Sequence, residues 1–247
     1  MQRTAALFFP LALATCSAFA QTAPKPDGLW RGSLGAGLTA ASGNTESVTY
    51  SINGDAVRQT RMDKLNGYLQ GLYGRREADG ATERAADLLR AGGKYDRDLN
   101  DRTFGFGALD LERDQLIDLD LRSVVATGLG YHLVRREGHT FDVSTGPAHN
   151  RERYSTQTRE SLEWLFAEES THALSRSVSF RQRLSYYVSL KEHGEFRVVF
   201  DAGLVLKVTD RWSATITLNE RYQSNPLPGI KDNDLLLVTG LQYVFNP

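Results

Sequence analysis

The chain has 247 residues, 40% of them hydrophobic, 24% charged and 10% aromatic, with a formal net charge of −1. A near-neutral chain has no global basic field to gather nucleic acid, and strand-forming residues spread throughout exclude a disordered polymer. The length suits one large β domain or two small ones.

In chain order, the first element is a leader. MQRTAALFFPLALATCSAFA carries Arg3, an apolar run from Ala5 to Ala14 and an Ala18-Phe19-Ala20 cleavage site before Gln21. Residues 1–20 therefore read as a secretory signal peptide, with an apolar run too short for a bilayer span. Thr15 before Cys16 fits a lipoprotein box poorly. Cys16 is the only cysteine and lies in the leader. The mature chain enters an oxidising compartment without a disulfide, a cysteine metal site or a cysteine nucleophile. Residues 21–28 form a short periplasmic lead-in, and 29–247 read as one barrel domain.

From Leu29 onward the sequence alternates with period two, the signature of strands with one apolar and one polar face. Twelve segments are predicted: 29–40, 46–59, 65–76, 83–95, 102–113, 119–133, 139–151, 159–173, 177–191, 195–208, 211–224 and 233–246. In the ninth, Val178, Phe180, Gln182, Leu184, Tyr186, Val188 and Leu190 share one face, opposite Ser179, Arg181, Arg183, Ser185, Tyr187 and Ser189. In the sixth, Leu119, Leu121, Ser123, Val125, Thr127, Leu129 and Tyr131 oppose Asp120, Arg122, Val124, Ala126, Gly128, Gly130 and His132. The alternation is muddled in the third, fourth and eighth segments, and the fourth carries Arg84, Asp87, Arg90 and Lys94.

The linkers fall into two alternating sets. Residues 61–64, 97–101, 135–138, 175–177 and 210–211 are tight, whereas 41–46, 76–82, 115–118, 153–158, 191–195 and 224–233 tend to be longer and more varied. Outer-membrane barrels pair short periplasmic turns with longer extracellular loops and use an even strand number. The fold class is therefore all-β: a transmembrane antiparallel up-and-down barrel of about twelve strands.

A soluble barrel also alternates, but turns its apolar face inward. Three features favour the membrane. Segments of about 13–15 residues exceed the soluble mode of about 5–6. Trp30, Tyr131, Phe141, Phe180, Phe196, Trp212, Tyr222, Tyr243 and Phe245 sit near segment ends on the apolar face, as an interfacial girdle requires. The polar face is charged and glycine-rich, which suits a wet or salt-bridged lumen.

The ending Thr239-Gly240-Leu241-Gln242-Tyr243-Val244-Phe245 resembles the assembly signal of outer-membrane barrels: a polar residue, Gly, two of any type, an aromatic, any, an aromatic. Its reader pairs with the last strand. Asn246-Pro247 departs from that pattern, and the proline should stop the strand. The expected surroundings are outer-membrane lipid, with periplasmic chaperones and the barrel-assembly machinery as partners during biogenesis. The expected state is a monomer.

Candidate chemistry is sparse. His132, His139, His149, His172 and His193 lie on different segments and make no metal-binding spacing. His149-Asn150 with Ser155 is a mild hydrolase signal, and Asp110, Glu112, Asp114, Asp118 and Asp120 gather around one loop. Paired carboxylates there could hold Ca²⁺ or a water; a charged rim is the plainer reading. Arg31, Asp55, Asp120, Arg122, Asp142, Arg181, Arg183, Arg197, Asp201 and Lys207 are placed inward. Arg181, Arg183 and Arg197 on neighbouring strands form a candidate lumen stripe for anions, or pair with Asp142 and Asp201 and plug the barrel.

The order of several short motifs resembles that of the domain-of-unknown-function 481 family (DUF481), labelled as salt-induced outer-membrane proteins. They are Trp30-Arg31-Gly32, Ser42-Gly43-Asn44-Thr45, Arg102-Thr103-Phe104, Asp118-Leu119-Asp120-Leu121-Arg122, Gly128-Leu129-Gly130-Tyr131, Asp234 and the Thr239–Phe245 ending. The resemblance implies location and a barrel fold, and transfers no functional residue or cofactor. Gly43-Asn44 has a structural reading of its own, as a hairpin connection needing positive φ. The leading expectation is a non-enzymatic barrel serving envelope integrity or narrow solute and ion passage under salt or osmotic stress. The alternatives are an outer-membrane hydrolase acting on lipid or peptide, and a soluble periplasmic ligand-binding barrel.

Overall fold

The computed structural model describes residues 26–41, 46–78 and 81–246. The expected signal peptide, most of the expected lead-in and the Ser42–Thr45 connection lie outside the described residues. Twelve antiparallel strands follow in chain order: β1 (Trp30–Ala41), β2 (Glu46–Gln59), β3 (Asp63–Ala78), β4 (Ala81–Asp98), β5 (Thr103–Asp114), β6 (Leu119–Arg136), β7 (His139–Tyr154), β8 (Thr158–Ala173), β9 (Val178–Ser189), β10 (Phe196–Lys207), β11 (Trp212–Gln223) and β12 (Asn233–Phe245). Each pairs with its sequence neighbours, and β1 pairs with β12, so the sheet closes on itself. Closure joins the two end strands and pairs most of the backbone without water, which makes the fold compatible with lipid.

The two linker sets emerge at opposite ends. Both described chain ends share one end with the connections at 60–62, 99–102, 137–138, 174–177 and 208–211. The expected loop at 76–82 is mostly zipped into strand: β3 and β4 stay paired up to Ala78↔Ala81. Charge on both faces of this hairpin made the alternation hard to read, and the charges are paired there, Arg76 with Glu83 at 2.8 Å and Arg84 with Asp87 at 2.9 Å.

The apolar face points out. Leu34, Leu38, Leu129, Leu235 and Leu237 are between 62% and 66% exposed, while Ser33, Arg90, Arg122, Glu152, Arg197 and Gln242 are buried inside. This is the reverse of a soluble ligand-binding barrel and overturns that alternative: water would meet a continuous leucine belt. Outward aromatic rings cluster toward the strand ends, with Phe196–Tyr222 and Tyr186–Phe196 at one end and Trp212–Tyr243 at the other, each pair 5.5 Å between centroids. The fold is a transmembrane barrel of the outer-membrane kind.

Three departures from simple alternation have local causes. A register shift between Leu119 and Leu121 turns Leu119 inward, where it is 0% exposed, instead of onto the outer face where period two puts it. On β8, Glu168 faces outward and accepts a 2.8 Å hydrogen bond from Gln182 Nε2, a polar pair within the apolar face. The inner face also holds an apolar cluster of Phe104, Phe106, Val124, Ala126, Ala148, Leu165 and Tyr187 along β5–β9. Gly130 belongs to this packing, because a Cβ there would lie 2.1 Å from the Phe104 ring, which stacks over His132 at 4.7 Å.

Closure is uneven. The β1–β2 ladder spans twelve partners and β11–β12 eleven, but β1–β12 runs only from Gly32↔Phe245 to Ala36↔Leu241, five partners. The seam is fastened at its lower end, where Asn246 Nδ2 donates to Trp30 O at 2.8 Å and Phe245 covers Gly32.

Candidate functional site: the charged lumen

A strand turns every second side chain inward, so a charged residue at alternate positions must find its partner within the lumen. Arg122 of β6 does so three times. Its Nη1 meets Glu112 Oε1 at 2.8 Å, its Nε meets Glu152 Oε1 at 3.0 Å, and its Nη2 donates to Gln223 Oε1 on β11 at 3.2 Å. The last contact crosses the barrel. Arg90 of β4 sits 3.2 Å from Glu112 and 3.7 Å from Asp201 on β10. Gln70 of β3 donates to Asn219 of β11 at 2.9 Å, and Asn219 in turn donates to Asp201 at 2.7 Å. Lower down, Lys94 of β4 reaches Glu169 of β8 at 3.3 Å, with its ammonium 5.3 Å from the Phe104 ring centre.

The three arginines of the predicted stripe are each engaged. Arg197 holds Glu163 through two contacts, 2.7 and 3.2 Å, and lies 4.5 Å above the Tyr187 ring. Arg183 meets Glu169 at 3.6 Å and lies 5.5 Å from the Tyr68 ring centre on the far wall. Arg181, the most exposed, is 3.9 Å from Asp55 of β2. The three arginines therefore pair with acids other than the expected Asp142 and Asp201. Asp142 is taken by His132 at 2.7 Å, and Asp201 by Arg221 at 3.1 Å. Glu163 and Glu169 were missed because they lie on β8, whose outward Glu168 hides the inward alternation.

The hydrolase signal disperses. His149 faces outward on β7 and Asn150 inward, where Asn150 bonds Glu152 and Glu163. Ser155 lies past the strand end, six residues or about 20 Å of strand beyond His149. The acidic group also divides. Asp110 accepts from Tyr68 at 2.6 Å deep in the lumen, Glu112 serves Arg90 and Arg122, and Asp114 caps a 3₁₀ turn at Gln115–Ile117. Among the described residues no group of three or more His, Cys, Asp or Glu is placed to hold a metal ion. Arg31 grips Asp27 at 2.5 Å at the rim, holding the Asp27 carboxyl well below the usual carboxylate range.

Above the ion pairs, at the end carrying the longer loops, lies a cavity of about 250 Å³. Arg90, Arg122 and Arg221 are among its polar lining, and Leu116, Leu227 and Ile230 among its apolar lining. Of the ending, Thr239, Tyr243 and Phe245 face outward and Gly240 inward.

The barrel and its ending match the pattern of one family over most of their length. The chain belongs to the family described as protein of unknown function, DUF481, whose model matches residues 34–245. Among solved structures, this DUF481 chain is similar to the COG4313 outer membrane channel from Pseudomonas putida F1, at 12% identity and a TM-score of 0.49 over 94% of this chain and 99% of that one. It is similar to the NanC porin, at 8% identity and a TM-score of 0.47 over 87% and 96%. It is also similar to the translocator domain of the autotransporter NalP from Neisseria meningitidis, at 13% identity and a TM-score of 0.41 over 87% of each chain. No curated protein matches the chain.

Proposed function

We propose that this DUF481 chain is an outer-membrane barrel held shut by its own charges, contributing envelope integrity and a narrow ion path that loosens as salt rises. The observation that carries the reading is the set of contacts crossing the lumen: Arg122–Gln223, Arg90–Asp201, Gln70–Asn219 and Lys94–Glu169. An open porin keeps a wide aqueous channel; here side chains from opposite walls touch. The exposed Arg181–Asp55 pair is screened as the Debye length falls from about 8 Å at 0.15 M salt to about 3 Å at 1 M, and the buried pairs are screened less. That links the architecture to salt or osmotic stress. Arg181, with its long and exposed contact to Asp55, is the member of the arginine stripe most open to a passing anion.

In this reading residues 1–20 are cleaved on export, and chaperones and the assembly machinery receive the strand ending in Thr239, Gly240, Tyr243 and Phe245. The barrel then works as a monomer in lipid, with no nucleic-acid partner, cofactor or catalysis. The separation of His149 from Ser155 supports the non-catalytic part. Liposome swelling in an isosmotic pentose solution tests the closed state. No swelling above protein-free vesicles is expected; swelling that scales with inserted protein would refute a closed lumen.

A further inference from the structure

His139 and His172 face each other directly across β7 and β8, one residue from the turn at 137–138. Alternation puts both on the outer face, two positions from Phe141 and Ser170 respectively. Their Nδ1 atoms are 3.3 Å apart and their rings tilt by 47°. Among the described residues neither ring has an acid partner of the kind His132 has in Asp98 and Asp142.

We propose that this pair is a two-histidine site for a borderline divalent transition metal, Zn²⁺ in particular, at the end of the barrel carrying the described chain ends. Imidazole nitrogen suits Zn²⁺, Ni²⁺ and Cu²⁺ better than Mg²⁺ or Ca²⁺. With Zn–N bonds of about 2.0–2.1 Å, nitrogens 3.3 Å apart subtend about 104–111° at the metal, close to the tetrahedral angle. The site needs no strand movement, since the sheet register already sets the two side chains opposite each other.

The protons balance. In the metal-free pair one Nδ1–H donates to the other Nδ1, so one ring carries its proton on Nδ1 and the other on Nε2. Binding requires both Nδ1 lone pairs, so the shared proton moves to Nε2 of its own ring through solvent. Two neutral imidazoles then bind the ion with no net proton release. Water fills the remaining positions, because the pair sits at the rim. Arg136, the ladder partner of His139 from β6, adds a nearby positive charge that keeps the affinity below that of a site with a carboxylate ligand.

Calorimetric titration of the purified, untagged barrel in detergent with Zn²⁺ tests the site. One ion per chain is expected, and His139→Ala or His172→Ala should each weaken binding by about tenfold or more. His149→Ala and His193→Ala should leave it unchanged. Circular dichroism checks that each variant is folded, which the rim position of both side chains favours. Absence of saturable binding, or binding that survives both His139→Ala and His172→Ala, would overturn the proposal.

Discussion

Lys94 on β4 and Glu169 on β8 meet at 3.3 Å across the lumen, although three strands separate them in the wall. Glu169 also faces Arg183 at 3.6 Å, and Lys94 also faces Asp96 at 3.3 Å. The lumen is thus organised as a chain of alternating charges braced by the Phe104–Phe106 cluster, rather than as a basic stripe with a free face.

Arg122 joins three lumen partners, Glu112, Glu152 and Gln223. Replacing it by Ala strips buried Glu152 of its ion-pair partner and leaves Glu112 with Arg90 alone, and should cost about 3–5 kcal/mol in urea unfolding of the lipid-inserted barrel. Arg122→Lys should restore only part of this, because one ammonium cannot span the three contacts that the guanidinium makes in different directions. Equal stability of Arg122→Ala and the parent would show that the hub is ornamental.

The outer face answers to a different rule. Val125, more than half exposed and midway along β6, faces the hydrocarbon. Val125→Arg should cost about 2–4 kcal/mol in the same assay. Thr217→Arg, on the inner face of β11, carries no lipid penalty and should cost less. The opposite ranking would mean that the faces are assigned the wrong way round.

The short seam should be visible in amide exchange. Beyond Ala36↔Leu241, the edges of β1 and β12 lack ladder partners among the described residues, whereas β2–β3 is paired from Glu46↔Glu77 to Gln59↔Lys64. Residues 37–38 of β1 and the β1-facing amides of 235–239 should exchange at least about tenfold faster than mid-strand β2 amides. Uniform protection around the barrel would contradict an incomplete closure.

Gly130 lies under the Phe104 ring on the inner face of β6. Gly130→Val should lose about 1–3 kcal/mol by forcing that ring off its packing. The companion Phe104→Leu, which vacates the space, should reduce the penalty in the double variant. Strict additivity would separate the two residues.

Strand number and strand order were legible because period two is a local signal repeated in each hairpin, whereas the outward direction of the apolar face was legible from segment length, the aromatics at segment ends and the charged polar face. Leu119 was misplaced because a bulge inserts one residue that local periodicity cannot count. The partners of Arg183 and Arg197 were illegible for another reason. Glu169 and Glu163 become neighbours only through strand adjacency and inward projection, and the outward Glu168–Gln182 pair blurred the β8 alternation. The β3–β4 hairpin was expected to open into a loop at 76–82, one of the longer and more varied linkers, and charges muddled the alternation of the segment after it. Those charges instead pair along the hairpin, at the end of the barrel carrying the longer loops.

Planar-bilayer conductance as a function of salt tests the closed lumen most directly, comparing the parent protein with Lys94→Met/Glu169→Gln. Divided by bulk conductivity, the parent conductance should be near zero at low salt and rise with ionic strength. The double variant should conduct at low salt, having lost one of the contacts that cross the lumen. A large parent conductance that simply tracks bulk conductivity, unchanged in the double variant, would contradict a barrel held shut by its charges.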